Sequence, residues 1–128
     1  MKLFVYGTLL RGESNHHVLE GATLLFEGIK IQAKMYDTNI GYPAIELEEG
    51  STIVGEVYEI QEYIWSSLDA LEGYTGNPLT DMYSKEIVKV ETNEGLIEVI
   101  VYTICDVSMK SVLIPSGNWI EYRSSLIR

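Results

Sequence analysis

The stretch FVYGTLLRGESNH, from Phe4 to His16, changes at Gly7 from large apolar residues to a mixture of small and polar ones. Residues 2–6 read KLFVY, and a short apolar run that ends at a glycine predicts a buried strand. The residues after Gly7 predict a turn that leads into a helical segment. Gly7 and Gly12 are separated by four residues, which is the glycine spacing of a phosphate-binding P-loop.

The residue after Gly12 argues against a P-loop. A P-loop carries lysine at that position to reach the β- and γ-phosphates, whereas this chain carries Glu13, which would repel them. A nucleotide-binding function is therefore disfavoured, and the simplest interpretation is a tight turn that leaves an N-terminal strand. The backbone N–H groups from Gly7 to Leu9 could instead hold another anion, such as a carboxylate, and Thr8 could add a hydroxyl.

Composition limits the class of protein. The 128 residues are 46% hydrophobic, which is typical of one globular domain over 1–128. The formal net charge of −10 argues against nucleic acid and anionic membrane as partners, since such partners select a basic surface. No apolar run reaches the roughly 18 residues of a membrane helix, and no signal peptide is expected.

Cysteine usage gives a further limit. Cys105 is the single cysteine, so no intrachain disulfide can form, and no metal quartet of Cys and His can be written. This usage fits a reducing environment, and we expect a cytoplasmic protein. Because Cys105 follows an apolar run and has no cationic neighbour in sequence, we expect a buried, unreactive thiol.

The rest of the chain predicts mainly strands joined by turns, with one helix among them. Gly28 suggests a bend in the strand that contains it. We expect an α+β fold with a small mixed or antiparallel sheet, curled into a β-barrel, and flanking helices. The predicted strands are 2–6, 23–38, 44–49, 51–60, and a hairpin of 83–92 and 96–104; the predicted helical segments are 16–21, 61–74 and 119–128, the last starting near Ser116 or Asn118.

The helix predicted over 61–74 places one acidic residue in an unusual position. Ile64, Leu68 and Leu71 form its apolar stripe, and Gly73 stands where a left-handed residue would end it. Glu72 therefore falls in the last turn, where the partial negative charge of the helix terminus disfavours a carboxylate.

Two interpretations of Glu72 follow. It could be a solvated helix end, which is the more common outcome for a surface acid. If Tyr74 and Tyr83 shield it from water, its pKa would rise, as a general base that works near neutral pH requires. Asp69, one turn earlier, could share the same site or be exposed.

The histidines carry a weaker signal. His16 and His17 are adjacent, so on a helix their side chains diverge by about 100° and do not readily bind one ion together. A role in the loop or in helix capping is the simpler interpretation, although His16 could polarise a group near the glycine turn.

Taken together, these segments resemble the gamma-glutamylcyclotransferase-like family. The similarity extends in the family's order over nearly the whole chain, and the loop Tyr6-Gly7-Thr8-Leu9 combined with an acid before a glycine is its most specific part. The matching segments are FVYGTLLRGESNHH (4–17), GYPAI (41–45), GEVYEI (55–60), LDALEGY (68–74), MYSKE (82–86), VYT (101–103) and SGNW (116–119).

The resemblance implies a small barrel-like mixed sheet and an enzyme that needs neither metal nor cofactor. The implied reaction is attack of a gamma-glutamyl substrate's own α-amine on its γ-carbonyl, which releases 5-oxoproline and an amine or amino acid. Glu72 is the implied acid/base catalyst. The implied substrate-binding residues are Tyr6, Gly7, Thr8, Leu9, Tyr42, Pro43 and Tyr83.

One departure from the family concerns charge. Many relatives carry an arginine shortly after the tyrosine of MYSKE, where this chain has Ser84 and Lys85. The competing class of function is a non-catalytic binding or interaction module on the same fold. A pocket that joins Glu72 to the amides of the glycine turn would favour the enzyme, and a filled pocket would favour the module.

Overall fold

Strand β1 (Lys2–Val5) lies at the centre of a six-stranded sheet in the computed structural model, which describes residues 1–77, 79, 81, 83–104 and 106–126. The strand order is β4-β5-β1-β3-β2-β6; β1 pairs parallel to β5, and the other pairs are antiparallel. The other elements are β2 (Thr23–Asp37), β3 (Pro43–Glu59), α1 (Glu62–Glu72), β4 (Tyr83–Thr92), β5 (Gly95–Ile104), β6 (Val112–Ile114), α2 (Trp119–Leu126) and two 3-10 helices (His16–Leu19 and Val107–Met109).

The apolar run in β1 is explained by burial on both faces. Phe4 points into the concave side of the curled sheet, where it packs with residues such as Val57 and Val101. Leu3 and Val5 point to the opposite side, where they pack with Leu68 of α1. Because side chains alternate along a strand, a strand between two hydrophobic layers must be apolar at each of its buried positions, here Leu3, Phe4 and Val5.

The predicted mixed sheet, curled and flanked by helices, is confirmed in its main features. The hairpin of β4 and β5 is present, and the bend at Gly28 appears as a register shift between Phe26 and Ile29. The terminal helix follows Asn118, whose Oδ1 accepts a hydrogen bond of 3.0 Å from the Glu121 N–H. No helix in the described part of the chain is long and apolar enough to cross a bilayer.

Other boundaries differ from the prediction. The strands predicted over 44–49 and 51–60 are one strand, β3, because the long strand β2 pairs with both parts. Residues 48–51 are accommodated between the pairs Gln32–Thr52 and Ala33–Leu47, and the Gly50 N–H bonds to Gln32 Oε1 over 3.2 Å. β6 and the 3-10 helix before it were not predicted. Cys105 and residues 127–128 lie outside the described residues, so the expectations for them stay predictions.

Gly55 marks the closest approach between β1 and β3. A Cβ atom at this position would lie 2.1 Å from the Val5 carbonyl oxygen and 2.7 Å from Cζ of Phe4. Neither group can yield easily, because one is backbone of the central strand and the other is a fully buried ring. Any side chain here would push β1 away from its neighbour.

We therefore expect Gly55→Ala to lower the free energy of unfolding by about 1–3 kcal/mol or more, measured by chemical denaturation. Ser51→Ala in the same strand is the control, and it is expected to change stability by less than about 0.5 kcal/mol. Equal stability of the two variants would contradict the packing described for β1 and β3.

Candidate active site

A cavity of about 170 Å³ opens where the loop after β1 meets the end of α1. The start of β3, the start of β4 and the last part of β5 complete its walls. The structure brings every residue of the predicted site to this cavity. These residues are Tyr6, Gly7, Thr8, Leu9, Tyr42, Pro43, Glu72 and Tyr83.

Glu72 is the last residue of α1, and the helix ends there for a local reason. Gly73 adopts the left-handed conformation (φ 67°, ψ 32°), and the next N–H, that of Tyr74, bonds back to the Asp69 carbonyl over 2.8 Å. This is the cap geometry that glycine permits at a helix C-terminus. The cap fixes where α1 stops and so brings Glu72 to the cavity wall.

The Glu72 carboxylate is half-buried, and no partner in the described part of the chain offsets its removal from water. Among the described residues, none forms an ion pair or a hydrogen bond with it. Removal from water penalises the charged form, and this burial raises the pKa of Glu72 from its ordinary value of 4.5 to about 7. A carboxylic acid in this condition exchanges its proton near neutral pH.

Two buried tyrosines join the walls of the cavity. The Tyr6 hydroxyl donates a hydrogen bond of 2.7 Å to the Tyr102 carbonyl oxygen, which links β1 to β5. The Tyr83 hydroxyl donates one of 2.8 Å to the Pro43 carbonyl oxygen, which links β4 to β3. Burial raises the pKa of both phenols well above its usual value, so both stay neutral donors over the physiological range.

The glycine loop forms the wall that contains backbone donors. A Cβ atom on Gly7 would lie 2.5 Å from Cγ of Pro43, so only glycine fits this approach. In the described part of the chain, no acceptor is bound to the N–H of Gly7, Thr8 or Leu9. Asn15 braces the loop, because its Nδ2 donates to Thr8 Oγ1 over 3.0 Å. The loop can therefore offer N–H groups to an anion or to a polarised carbonyl.

The remaining candidates lie outside the cavity wall. His16 Nδ1 lies 2.8 Å from the Leu9 carbonyl oxygen, so this residue supports the loop from behind. Glu13, at the position of the P-loop lysine, forms an ion pair of 2.8 Å with Arg123 of α2. Asp69 pairs with Lys85 and Tyr102. The described residues contain no group of three His, Cys, Asp or Glu side chains that could hold a metal ion.

Sequence reasoning missed five residues of the cavity wall: Phe4, Val5, Asn15, Leu71 and Tyr102. The alternation of side chains in β5 could have identified Tyr102. Val99 and Val101 face the concave core, so Tyr102 must point to the opposite side of the sheet. Leu71 is 41% exposed at the cavity mouth, although the helical period suggested a core position. Asn15 reaches the cavity because of the conformation of its loop, which the spacing of apolar residues in the sequence does not predict.

Comparison with known proteins gives the family. Residues 3–121 match the model of the family described as Gamma-glutamyl cyclotransferase, AIG2-like. The chain belongs to this family. It is 45% identical over 74 residues to the gamma-L-glutamyl-butirosin B gamma-glutamyl cyclotransferase of Niallia circulans, a match that covers 58% of this chain and 47% of that protein. The present chain thus spans about half the length of that relative.

Two further relatives match over the full domain. A protein of Methanocaldococcus jannaschii, provisionally named a gamma-glutamylcyclotransferase, is 34% identical over 94% of this chain and 97% of its own length. The crystal structure of YkqA from Bacillus subtilis superposes with a TM-score of 0.77 at 29% identity. That superposition covers 99% of this chain and 42% of YkqA.

The raised pKa of the buried Glu72 carboxyl makes the stability of the protein depend on pH. Between pH 4.5 and 7 the folded state holds a proton on Glu72 that the unfolded state has lost, so stability contributed by this group falls as pH rises through that window. Glu72→Gln never ionises. We expect its free energy of unfolding, relative to that of the parent protein, to increase by about 1–3 kcal/mol between pH 4.5 and pH 8.5.

The measurement is urea denaturation of both proteins at the two pH values. Glu91→Gln, which makes the same chemical change on the exposed edge strand β4, is the control and should track the parent protein. A stability difference between Glu72→Gln and the parent that is the same at both pH values would contradict the buried, uncompensated state of Glu72.

Proposed function

We propose that the protein is a gamma-glutamyl cyclotransferase that converts a gamma-glutamyl compound to 5-oxoproline and a free amine or amino acid, with Glu72 as general acid/base. The observation that carries this proposal is the pairing, across one small cavity, of an uncompensated carboxylate with unbonded backbone amides. Membership of the cyclotransferase family and the activity named for the butirosin relative support the same class of reaction.

The reaction needs a folded-back substrate rather than a protein nucleophile. The α-amine attacks the γ-carbonyl carbon and forms a carbon–nitrogen bond, which closes a five-membered ring. The bond from that carbon to the leaving nitrogen then breaks. Because the nucleophile and the carbonyl belong to one molecule, holding them together supplies much of the rate enhancement. A cavity of about 170 Å³ suits a curled glutamyl group, with the leaving group directed to the mouth near Leu71.

Glu72 carries the protons between the two nitrogens. As a carboxylate it accepts a proton from the α-ammonium group, which frees the lone pair for attack. As a carboxylic acid it then returns that proton to the leaving nitrogen. The second proton, which the attacking nitrogen loses as it becomes the lactam N–H, passes by the same carboxylate to the released amine, which departs as an ammonium ion. An acid with a pKa of about 7 is suited to both steps, because neither protonation state is strongly disfavoured at neutral pH.

The glycine loop supplies the complementary electrostatics. The N–H groups of Gly7, Thr8 and Leu9 could bind the substrate's α-carboxylate or stabilise the oxyanion that develops on the γ-carbonyl oxygen. Tyr42, Pro43 and Tyr83 also line the cavity and would hold the glutamyl chain in its curled form. The proposed chemistry uses no metal or cofactor, and its proposed setting is the cytoplasm.

The first test is a panel of gamma-glutamyl amines and gamma-glutamyl amino acids, with 5-oxoproline as the readout. We expect turnover of at least one compound, and a loss of about 10²–10⁴-fold in kcat for Glu72→Gln, the range typical of a positioned acid/base catalyst. For the parent protein, kcat/KM should fall below about pH 7 as Glu72 takes up a proton.

Glu91→Gln is the matched control and should retain full activity. Failure to turn over any compound would reject the enzyme and leave the non-catalytic module on the same fold. Turnover that is undiminished in Glu72→Gln would reject the role of Glu72 alone.

The second test concerns the loop. In Gly7→Ala the new methyl group would collide with Pro43 and displace the backbone amides from the cavity. We expect kcat/KM to fall by at least about 10²-fold, the effect of losing an oxyanion-type donor. Ser14→Ala is the control, because Ser14 is exposed in the same loop and does not line the cavity. Equal kinetics of the two variants would contradict a role for the loop amides.

A further inference from the structure

Lys85 of β4 directs its ammonium group to α1. Its Nζ lies 2.8 Å from Oδ1 and 3.0 Å from Oδ2 of Asp69. The same nitrogen lies 4.8 Å from the ring centroid of Trp65 and 4.7 Å from that of Tyr74, within the range of a cation–π contact. The Lys85 ammonium group is therefore held by the Asp69 carboxylate and by the ring faces of Trp65 and Tyr74.

This pair lies next to the proposed catalytic carboxylate. Asp69 and Glu72 are three residues apart on α1, so their Cβ atoms are about 5–6 Å apart on the helix surface. Tyr102 connects the two places, because it lines the cavity and its hydroxyl donates to Asp69 Oδ1 over 2.6 Å. A lysine side chain carries its charge on a long, flexible stem, so its ammonium group can change partner between neighbouring carboxylates.

We propose that Asp69 is a positioning residue for Glu72: it retains the Lys85 ammonium on the aromatic side of α1 and so keeps that cation from neutralising the Glu72 carboxylate. The proposal rests on the proposed function for its catalytic meaning, but its electrostatic content does not. Without Asp69, Glu72 would gain a positive neighbour and become a weaker base. Without Lys85, it would gain a negative neighbour and hold its proton more tightly.

Among the described residues, the other titratable groups that interact with Glu72 are phenols. Tyr6 follows β1, Tyr42 precedes β3, Tyr83 begins β4 and Tyr102 lies near the end of β5. Each pKa is raised by burial, and the charge of Glu72 raises it further, so these groups are neutral at the pH where Glu72 titrates. Asp69 and Lys85 are then the charged side chains that can shift the Glu72 titration in opposite directions.

The test is a pair of single substitutions and their combination. Asp69→Asn keeps an oxygen that can accept from Tyr102 but removes the charge, and Lys85→Met keeps an unbranched chain between the rings of Trp65 and Tyr74. The Glu72 titration is followed by NMR of ¹³C-labelled glutamate carboxyl groups, and the resonance is assigned by its absence in Glu72→Gln.

We expect the titration midpoint of Glu72 to fall by about 0.5–1 pH unit in Asp69→Asn and to rise by about the same amount in Lys85→Met. The double variant should return to within about 0.3 pH unit of the parent protein, because both charges are then absent. The acid limb of kcat/KM should move with each midpoint. Lys85→Arg keeps the charge and should leave the midpoint where it is in the parent protein.

Shifts of the same sign in both single variants, or no shift in either, would overturn the proposal and leave the pair a purely structural contact. If Asp69→Asn does not fold, an unchanged midpoint in Lys85→Met alone overturns it. An absence of turnover in every variant and in the parent protein would reject the proposed function, while the NMR titration would still decide the role of Asp69.

Discussion

The structure depends on the burial of β1 between two hydrophobic layers. Phe4 enters the concave core while Leu3 and Val5 enter the layer beneath α1, so this one strand holds both layers together. The close approach at Gly55 sets how tightly β3 lies against it. The end of β1 is therefore a fixed point, and the glycine loop that follows starts from a rigid position beside the end of α1.

Two glycines next to the ends of α1 and β1 determine the geometry of the site. The left-handed Gly73 decides where α1 stops, and the contact between Gly7 and Pro43 decides how closely the loop meets β3. Neither glycine supplies chemistry. They bring Glu72 and the loop amides to the same cavity, and burial there raises the pKa of Glu72.

The fold was largely predictable from sequence because its signals are local. The period of two in β5, the helical stripe of α1 and the glycine after Glu72 each act over a few residues. The division of β3 into two strands was wrong because the long strand β2 pairs with both parts, and residues 48–51 lie between the two paired segments. The role of Asp69 was left open because its partner Lys85 is 16 residues away, and no pattern along the chain records which acid takes a given cation.

The two hydrogen bonds from tyrosine hydroxyls to backbone carbonyls hold the cavity walls in the same position whatever the charge of Glu72. Tyr6 and Tyr83 join four strands through groups that neither gain nor lose a proton over the range in which Glu72 does. A change of pH across neutrality therefore alters the charge inside the cavity without loosening its walls. Such a frame keeps its shape while one buried carboxylate changes its charge.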